Sequence, residues 1–477
     1  MKCGESKMKT ENIEGQSMKL SDQLEPVTSK TTPETPQPSV EERVKQPIDY
    51  EPTAEMKLAL EQIKSSAKTL LILGKAGTGK STFIKHLAGQ YQSGLVLVAP
   101  TGIAAINIEG QTIHSFFKLN PHYLFKDGVE RDWQPEIYQK IDYFVIDEIS
   151  MVRADLIDAV DYALRINRNN QAAPFGGVKV ILIGDLSQLP PVSEHWDWEK
   201  FDRSGKYKTE FFFSSNIIKE LIQNDQIEIL EFTQPLRQTD PAFLEILSHV
   251  RDGNLTDKVN EALDDRIRAH QSIKGIPNLT ILTSTNAAAN RYNSSELEQL
   301  PSELFEYIAS IKGDFIKVAE KDLPNFEKIQ LKDGAQVVFI KNDPGGAWVN
   351  GTIGIVKKSY QDFIVVESNG KSLTVHFESW NKYKYQLEDG KLVKTVCGEF
   401  QQLPVKLGWA LTIHRSQGLT LDNVFVDTGN GAFAAGQVYV ALSRVRRIDN
   451  LFLKQAIRER DLIQSRAIRS FLKVMGR

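Results

Sequence analysis

The chain has 477 residues, 41% of them hydrophobic and 25% charged, with a net charge of −3. That balance belongs to a folded protein of more than one domain, and it excludes a chain whose overall charge alone would bind nucleic acid. Two cysteines, Cys3 and Cys397, exclude a disulfide framework, and no apolar run is long enough to span a bilayer.

The N-terminal MKCGESKMKTENIEG lacks the apolar stretch of a signal peptide and the acid-poor character of a transit segment. The expected location is the cytoplasm, or the nucleus of a eukaryotic cell. Residues 1–48, rich in Ser, Thr, Pro, Glu and Gln, bury too little apolar surface to offset chain entropy and are predicted to be a disordered tail.

From 49 to 234 the pattern predicts a first α/β domain. Its strands are Leu70–Leu73, Leu95–Ala99, Tyr143–Ile146, Val178–Ile183 and Ile227–Glu231, apolar along their length as strands covered on both faces must be. After the first strand comes GKAGTGKST. Gly74, Gly77 and Gly79 allow a tight turn whose N–H groups point at phosphate oxygens. Lys80 meets the β- and γ-phosphates, Ser81 supplies a Mg²⁺ ligand, and Thr78 and Thr82 complete the nucleotide set. Asp147 and Glu148 end the third strand, Asp147 suited to hold Mg²⁺ and Glu148 to deprotonate water. Gln188 follows the fourth strand and is suited to the γ-phosphate or the attacking water. Parallel sheets bind ligands at the carboxyl ends of their strands, so these clusters converge on one edge.

A second α/β domain begins at 235. Ile281–Ser284 and Val424–Val426 read as strands, and Pro241–Arg251, Ala410–Gln417 and Gly436–Val445 as helices. Between 331 and 400 turn pairs such as Asn350–Gly351, Asn369–Gly370 and Asp389–Gly390 predict antiparallel hairpins, a small β module inserted into the second domain, which spans 235–330 and 401–477. At the C-terminus Leu462, Ile463, Ala467, Ile468, Phe471 and Leu472 recur helically, predicting a docking helix with a basic outer face. Hydrolysis needs cations on the transferred phosphoryl group, and Arg237 and Arg444 are the downstream candidates. Each is equally compatible with a surface salt bridge. If they reach the nucleotide, ATP sits between two domains and its hydrolysis drives domain movement.

The ordered motifs resemble those of superfamily-one DNA helicases of the petite-integration-frequency (Pif) branch, similar to RecD and Dda. They are LVAPTGIAAINIEGQTIHSFF, VIDEISM, PFGG followed by GDLSQLPPV, QPLRQTDPAFLEIL, LGWALTIHRSQGLTLDNVFVD and GQVYVALSRV, and they run from about Tyr50 to about Lys454. The resemblance implies two RecA-like phosphate-loop domains, an inserted β-barrel-like module and a wedge within 118–133, a piece that fits a plain surface loop equally well. It implies ATP- and Mg²⁺-dependent 5′→3′ movement on single-stranded DNA, unwinding of forked DNA by a monomeric motor, and work in replication, repair, recombination or telomere maintenance. By the same resemblance Thr101, Gly102, His114, Ser115, Phe116, Asn286, His414 and Ser416 are candidates for the DNA track, whose hydroxyls, amides and imidazoles bind backbone without reading bases. Phe116 fits either a base-stacking position or the core. Gln417 and Gly418 are expected to face the nucleotide. The glutamine usual upstream of the phosphate loop is absent: Lys57 stands there, and Gln62 is the nearest glutamine. The competing function is a nucleic-acid-stimulated ATPase of another phosphate-loop class without unwinding.

Overall fold

The computed structural model describes residues 52–75, 77–91, 93–120, 129–188, 190–191, 205–234, 240–429, 431, 434–463 and 465–475. The predicted tail 1–48, Arg237 and residues 121–128 of the wedge segment lie outside the described residues.

The first domain is a parallel sheet of β1 (Thr69–Gly74), β2 (Leu95–Ala99), β3 (Gln111–Thr112), β4 (Tyr143–Ile146), β5 (Lys179–Gly184) and β6 (Ile227–Phe232), in the order β3-β2-β4-β5-β1-β6. The five predicted strands are all present within a residue or two. β1 and β2 are buried at every position because helices cover both faces. Leu70, Ile72, Phe83, Ile84 and Leu87 pack one face, and Leu71, Leu73, Ile146, Leu182 and Ile218 the other. Side-chain caps set the helix starts: Thr53, Thr101, Ser215 and Asp240 each accept a backbone N–H of the following turn.

The second domain has β7 (Leu279–Thr283). An insertion follows with β8 (Leu304–Ile308), β9 (Ser310–Gly313), β10 (Lys328–Lys332), β11 (Gln336–Phe339), β12 (Ile353–Ser359), β13 (Phe363–Ser368), β14 (Lys371–His376), β15 (Glu378–Glu388), β16 (Lys391–Gln402) and β17 (Val405–Leu407). The chain then returns as β18 (Ala410–Thr412), β19 (Asn423–Asp427) and β20 (Leu451–Leu453), giving a parallel sheet in the order β18-β7-β19-β20. Because β7 and β18 are hydrogen-bonded neighbours, the strands β8–β17 between them are inserted into one α/β domain.

Three sequence expectations shift. The segment Ala410–Gln417 is a strand followed by a turn, not a helix: Asn293 binds both backbone groups of Ala410, and β7 supplies a parallel edge. The antiparallel insertion begins at Leu304 rather than 331, since β8 pairs with β10 although no turn dipeptide announces it. Within it, β14-β13-β12-β11-β17 form one sheet, whereas the long β15–β16 hairpin pairs with β9 and reaches the first domain. There the Tyr385 hydroxyl accepts the free N–H of Leu97 at 2.8 Å, Leu392 joins the first domain's core, and Lys394 pairs with Glu109 at 3.2 Å.

The C-terminal helix Arg466–Val474 docks as predicted, and its partner is the first domain. The Phe471 ring stacks on Phe213 with centroids 4.5 Å apart and meets Phe212 edge-on. Phe471→Ala should lower unfolding free energy in urea by about 3 kcal/mol, the usual cost of truncating a buried phenylalanine. An unchanged midpoint would mean that the helix adds no stability. No described helix is long and apolar enough to cross a membrane.

Candidate nucleotide cleft and DNA track

The loop after β1 is held open by its glycines. A side chain on Gly74 would lie 2.6 Å from Thr78 Oγ1, so only hydrogen fits, and Gly79 adopts φ 85°, where other residues are strained. The helix Lys80–Gln90 starts at Gly79 with no side-chain cap, which leaves its first N–H groups directed at the loop as a ready anion site. Lys80 Nζ donates to the carbonyls of Gly74 at 2.7 Å and Lys75 at 3.0 Å, poised beside the position a phosphate takes. Thr78 is buried and donates to Lys75 O. Ser81 is exposed and Thr82 half-buried.

Asp147 follows β4 and accepts the Glu148 N–H at 2.9 Å. Glu148 has φ 49°, a left-handed conformation uncommon outside glycine, which turns its carboxylate away from the strand. Burial pushes the pKa of both carboxyls upward. At Asp147 the Glu148 N–H and Lys80 counter it; at Glu148 the negative charge of Asp147 adds to it, and Lys80 and Arg444 counter it. Glu148 Oε2 is buried with no hydrogen-bond partner. Two adjacent acids, one of them buried and the other with a buried carboxylate oxygen unsatisfied, are hard-oxygen donors that fit Mg²⁺.

The opposite wall belongs to the second domain. Gln188 is buried after β5, its amide donating to Asp185 at 3.2 Å, and Gln417 reaches across to its carbonyl oxygen at 3.4 Å. Backbones approach closely here: a Cβ on Gly436 would sit 2.2 Å from Ser187 O. Gly418 is exposed at φ 78°. A cavity of about 480 Å³ opens between the domains beside this contact. It is bordered by Gly74, Lys75 and Gln188 on one side and Arg251, Gly436 and Tyr439 on the other, with Ile468 and Leu472 of the C-terminal helix closing one end. Lys80 and Ser81 do not border it, so it adjoins the phosphate position rather than coinciding with it. Arg251 was not singled out from sequence. It ends the helix Pro241–Arg251 and pairs with Asp252 at 2.8 Å, a place that helical periodicity alone does not mark as facing another domain.

Arg444 differs from expectation. It is 1% exposed, and its guanidinium donates to the carbonyls of Val440, Ser416 and Leu419 and to Ser443 Oγ. Its charge reaches Glu148, yet its donors are engaged within its own domain, where they hold the turn carrying Gln417.

The candidate track residues fall at strand ends. Thr101 and Ser115 follow the neighbouring strands β2 and β3; Asn286 and His414 follow the neighbouring strands β7 and β18. Ser115, Asn286 and His414 are exposed. Thr101 and Gly102 are half-buried, and the Thr101 hydroxyl caps the next helix by accepting the Ala104 N–H. His114 is half-buried with Nε2 unpartnered, and burial together with Arg153 holds its pKa down. Two candidates are corrected. Phe116, 6% exposed, packs against Phe117, Tyr138, Phe144 and Tyr385 and belongs to the core, because its short helix turns that face inward. Ser416 is fully buried and donates to Ile413 O, closing the turn.

Comparison with known proteins agrees with this architecture. Residues 53–261 match the family model of PIF1-like helicases. The chain is 30% identical to the ATP-dependent DNA helicase Pif1 of Bdellovibrio bacteriovorus over 84% of this chain and 89% of that protein. It is 32% identical to the ATP-dependent DNA helicase PIF1 of Mus musculus over 89% of this chain, but spans only 64% of that longer relative. The crystal structure of Bacteroides sp Pif1 in complex with ADP-AlF4 superposes with a TM-score of 0.80 at 31% identity, covering 89% of this chain and 97% of the other. With the motif order, the two parallel sheets and the insertion between β7 and β18 all in agreement, the chain belongs to the PIF1-like helicase family.

Proposed function

We propose that this protein is an ATP-driven DNA helicase that moves 5′→3′ on single-stranded DNA and opens forked or structured duplex as a monomer. The observation that carries the reading is that Lys80, Asp147 and Glu148 of one domain lie within electrostatic reach of one another, Glu148 also feels Arg444 of the other domain, and Gln188 meets Gln417 across the boundary between the two. A nucleotide there touches both lobes, so loss of its terminal phosphate loosens them. Strand-end residues of each lobe then take turns gripping the DNA backbone.

In this mechanism Lys80 and the uncapped N–H groups after Gly79 bind the β- and γ-phosphates. Glu148 takes the proton of the attacking water, and Gln188 orients that water or the γ-phosphate. Ser81 and Asp147 would hold Mg²⁺, which when bound neutralises charge on the phosphate oxygens. Arg444 acts from beneath the Gln417 turn, and Arg237 is the second cationic candidate. The complex of the Bacteroides relative with ADP-AlF4 supports nucleotide use. Direction, the monomeric state and a role in replication, repair, recombination or telomere maintenance in cytoplasm or nucleus rest on family resemblance.

The deciding experiment is strand displacement on a duplex carrying either a 5′ or a 3′ single-stranded overhang. Unwinding confined to the 5′ overhang and dependent on ATP is expected. Unwinding from the 3′ overhang would reverse the direction, and DNA-stimulated ATPase without unwinding would favour a motor of another class.

A further inference from the structure

Between β10 and the preceding short helical turn, the insertion carries an aromatic side chain that the fold keeps out of its core. Phe326 is 38% exposed. Its backbone is pinned from inside: the buried Asn325 amide donates to the carbonyls of Leu403 at 2.9 Å and Val405 at 3.1 Å, and Asn325 Oδ1 accepts the Phe326 N–H. The ring therefore cannot fold back onto the insertion's apolar core.

Two cations rest on this ring. Lys406 Nζ lies 5.1 Å from its centroid, and the Arg415 guanidinium carbon lies 5.3 Å from it. They come from β17 and from the turn after β18, and neither forms an ion pair with any described residue; the ammonium of Lys406 is only 3.5 Å from Pro324 O. Like charges gathered at a half-buried place without a carboxylate are unfavourable unless an anion joins them. Burial and the charge of Arg415 accordingly push Lys406 down to about 7.

The location gives the anion its identity. Arg415 directly follows His414. On the other side, the carbonyl of Asp322, four residues before Phe326, lies 3.5 Å from where a Cβ on Gly102 would be. The cluster thus adjoins track candidates of both domains, His414 beside Arg415 in the chain and Gly102 against the segment that leads to Phe326. An exposed ring with two uncompensated cations suits a nucleotide unit of a single strand, with the base on the ring and the phosphate on the cations.

We propose that Phe326, Lys406 and Arg415 form a single-stranded DNA subsite, in which Phe326 stacks on a base while Lys406 and Arg415 move onto the adjoining phosphate. This rests on the DNA-motor reading and adds to it a sequence-tolerant grip on a base, supplied by the insertion rather than by either RecA-like domain.

The test is a fluorescence-anisotropy titration of the full chain with labelled oligo(dT) and with an abasic strand of equal length. Phe326→Leu keeps the apolar bulk and removes the ring; it should weaken oligo(dT) binding about 10-fold and abolish the preference for oligo(dT) over the abasic strand. Phe326→Tyr should retain both, which separates loss of the ring from misfolding. Lys406→Gln or Arg415→Gln should each lower the slope of log affinity against log salt by about 1. Unaltered affinity in Phe326→Leu, or equal weakening on both strands, overturns the subsite while the DNA-motor reading stands. Failure of the unaltered protein to bind either strand overturns the motor reading and the subsite together.

Discussion

Replacing Glu148 with Gln is expected to cut ATP turnover by about 10³ while leaving ATP bound, because the amide keeps the side chain's shape and cannot accept a proton. The structure makes this a clean substitution. The Glu148 Oε2 atom is buried and has no partner, and the neighbouring charge of Asp147 opposes its ionisation. An amide there removes a like-charge repulsion, so thermal stability should hold or rise while hydrolysis collapses. Single-turnover hydrolysis alongside nucleotide retention on a filter separates the two effects. Turnover near that of the unaltered protein would remove Glu148 from the role of base.

Arg444→Ala should lower kcat by on the order of 10³, as loss of an arginine acting on a transferred phosphoryl group does. Here a second effect is expected. The guanidinium satisfies buried carbonyls of Val440, Ser416 and Leu419, and leaving such acceptors without a donor costs about 1–3 kcal/mol each before relaxation. The variant should therefore lose stability in urea as well as turnover. Arg444→Lys should recover part of the charge but not the fan of donors. A variant that unfolds at lower urea yet hydrolyses ATP at the normal rate would reduce Arg444 to a structural tie between the Gln417 turn and the helix Gln437–Leu442.

The candidate nucleotide half of the site was legible in the sequence because its residues are local. Gly74 to Ser81 must be contiguous to wrap a phosphate, and Asp147 and Gln188 follow apolar runs that only buried parallel strands explain. The DNA half was less legible. Phe116 and Ser416 sit in stretches that resemble track motifs, yet one ring faces the core and one hydroxyl closes a turn; orientation is set by packing and local hydrogen bonds that spacing does not reveal. Ala410–Gln417 shows the same limit: its pattern suits a short helix, and the edge of β7 made Ala410–Thr412 a strand. Lys406, Arg415 and Phe326 carry no motif because they come from three separate segments.

By itself the sequence determined the two α/β domains, the inserted antiparallel module, the glycine-rich loop after β1 and the acids that follow β4. These follow from hydrophobic periodicity and from residues adjacent in the chain. Only the tertiary structure decided that the β15–β16 hairpin and the C-terminal helix both pack on the first domain, that Gln188 meets Gln417, and that Arg444 turns its donors inward. Each of these joins residues tens to hundreds of positions apart. Their partners are chosen by burial and by unsatisfied polar groups in the folded chain, and neither exists before the chain has folded.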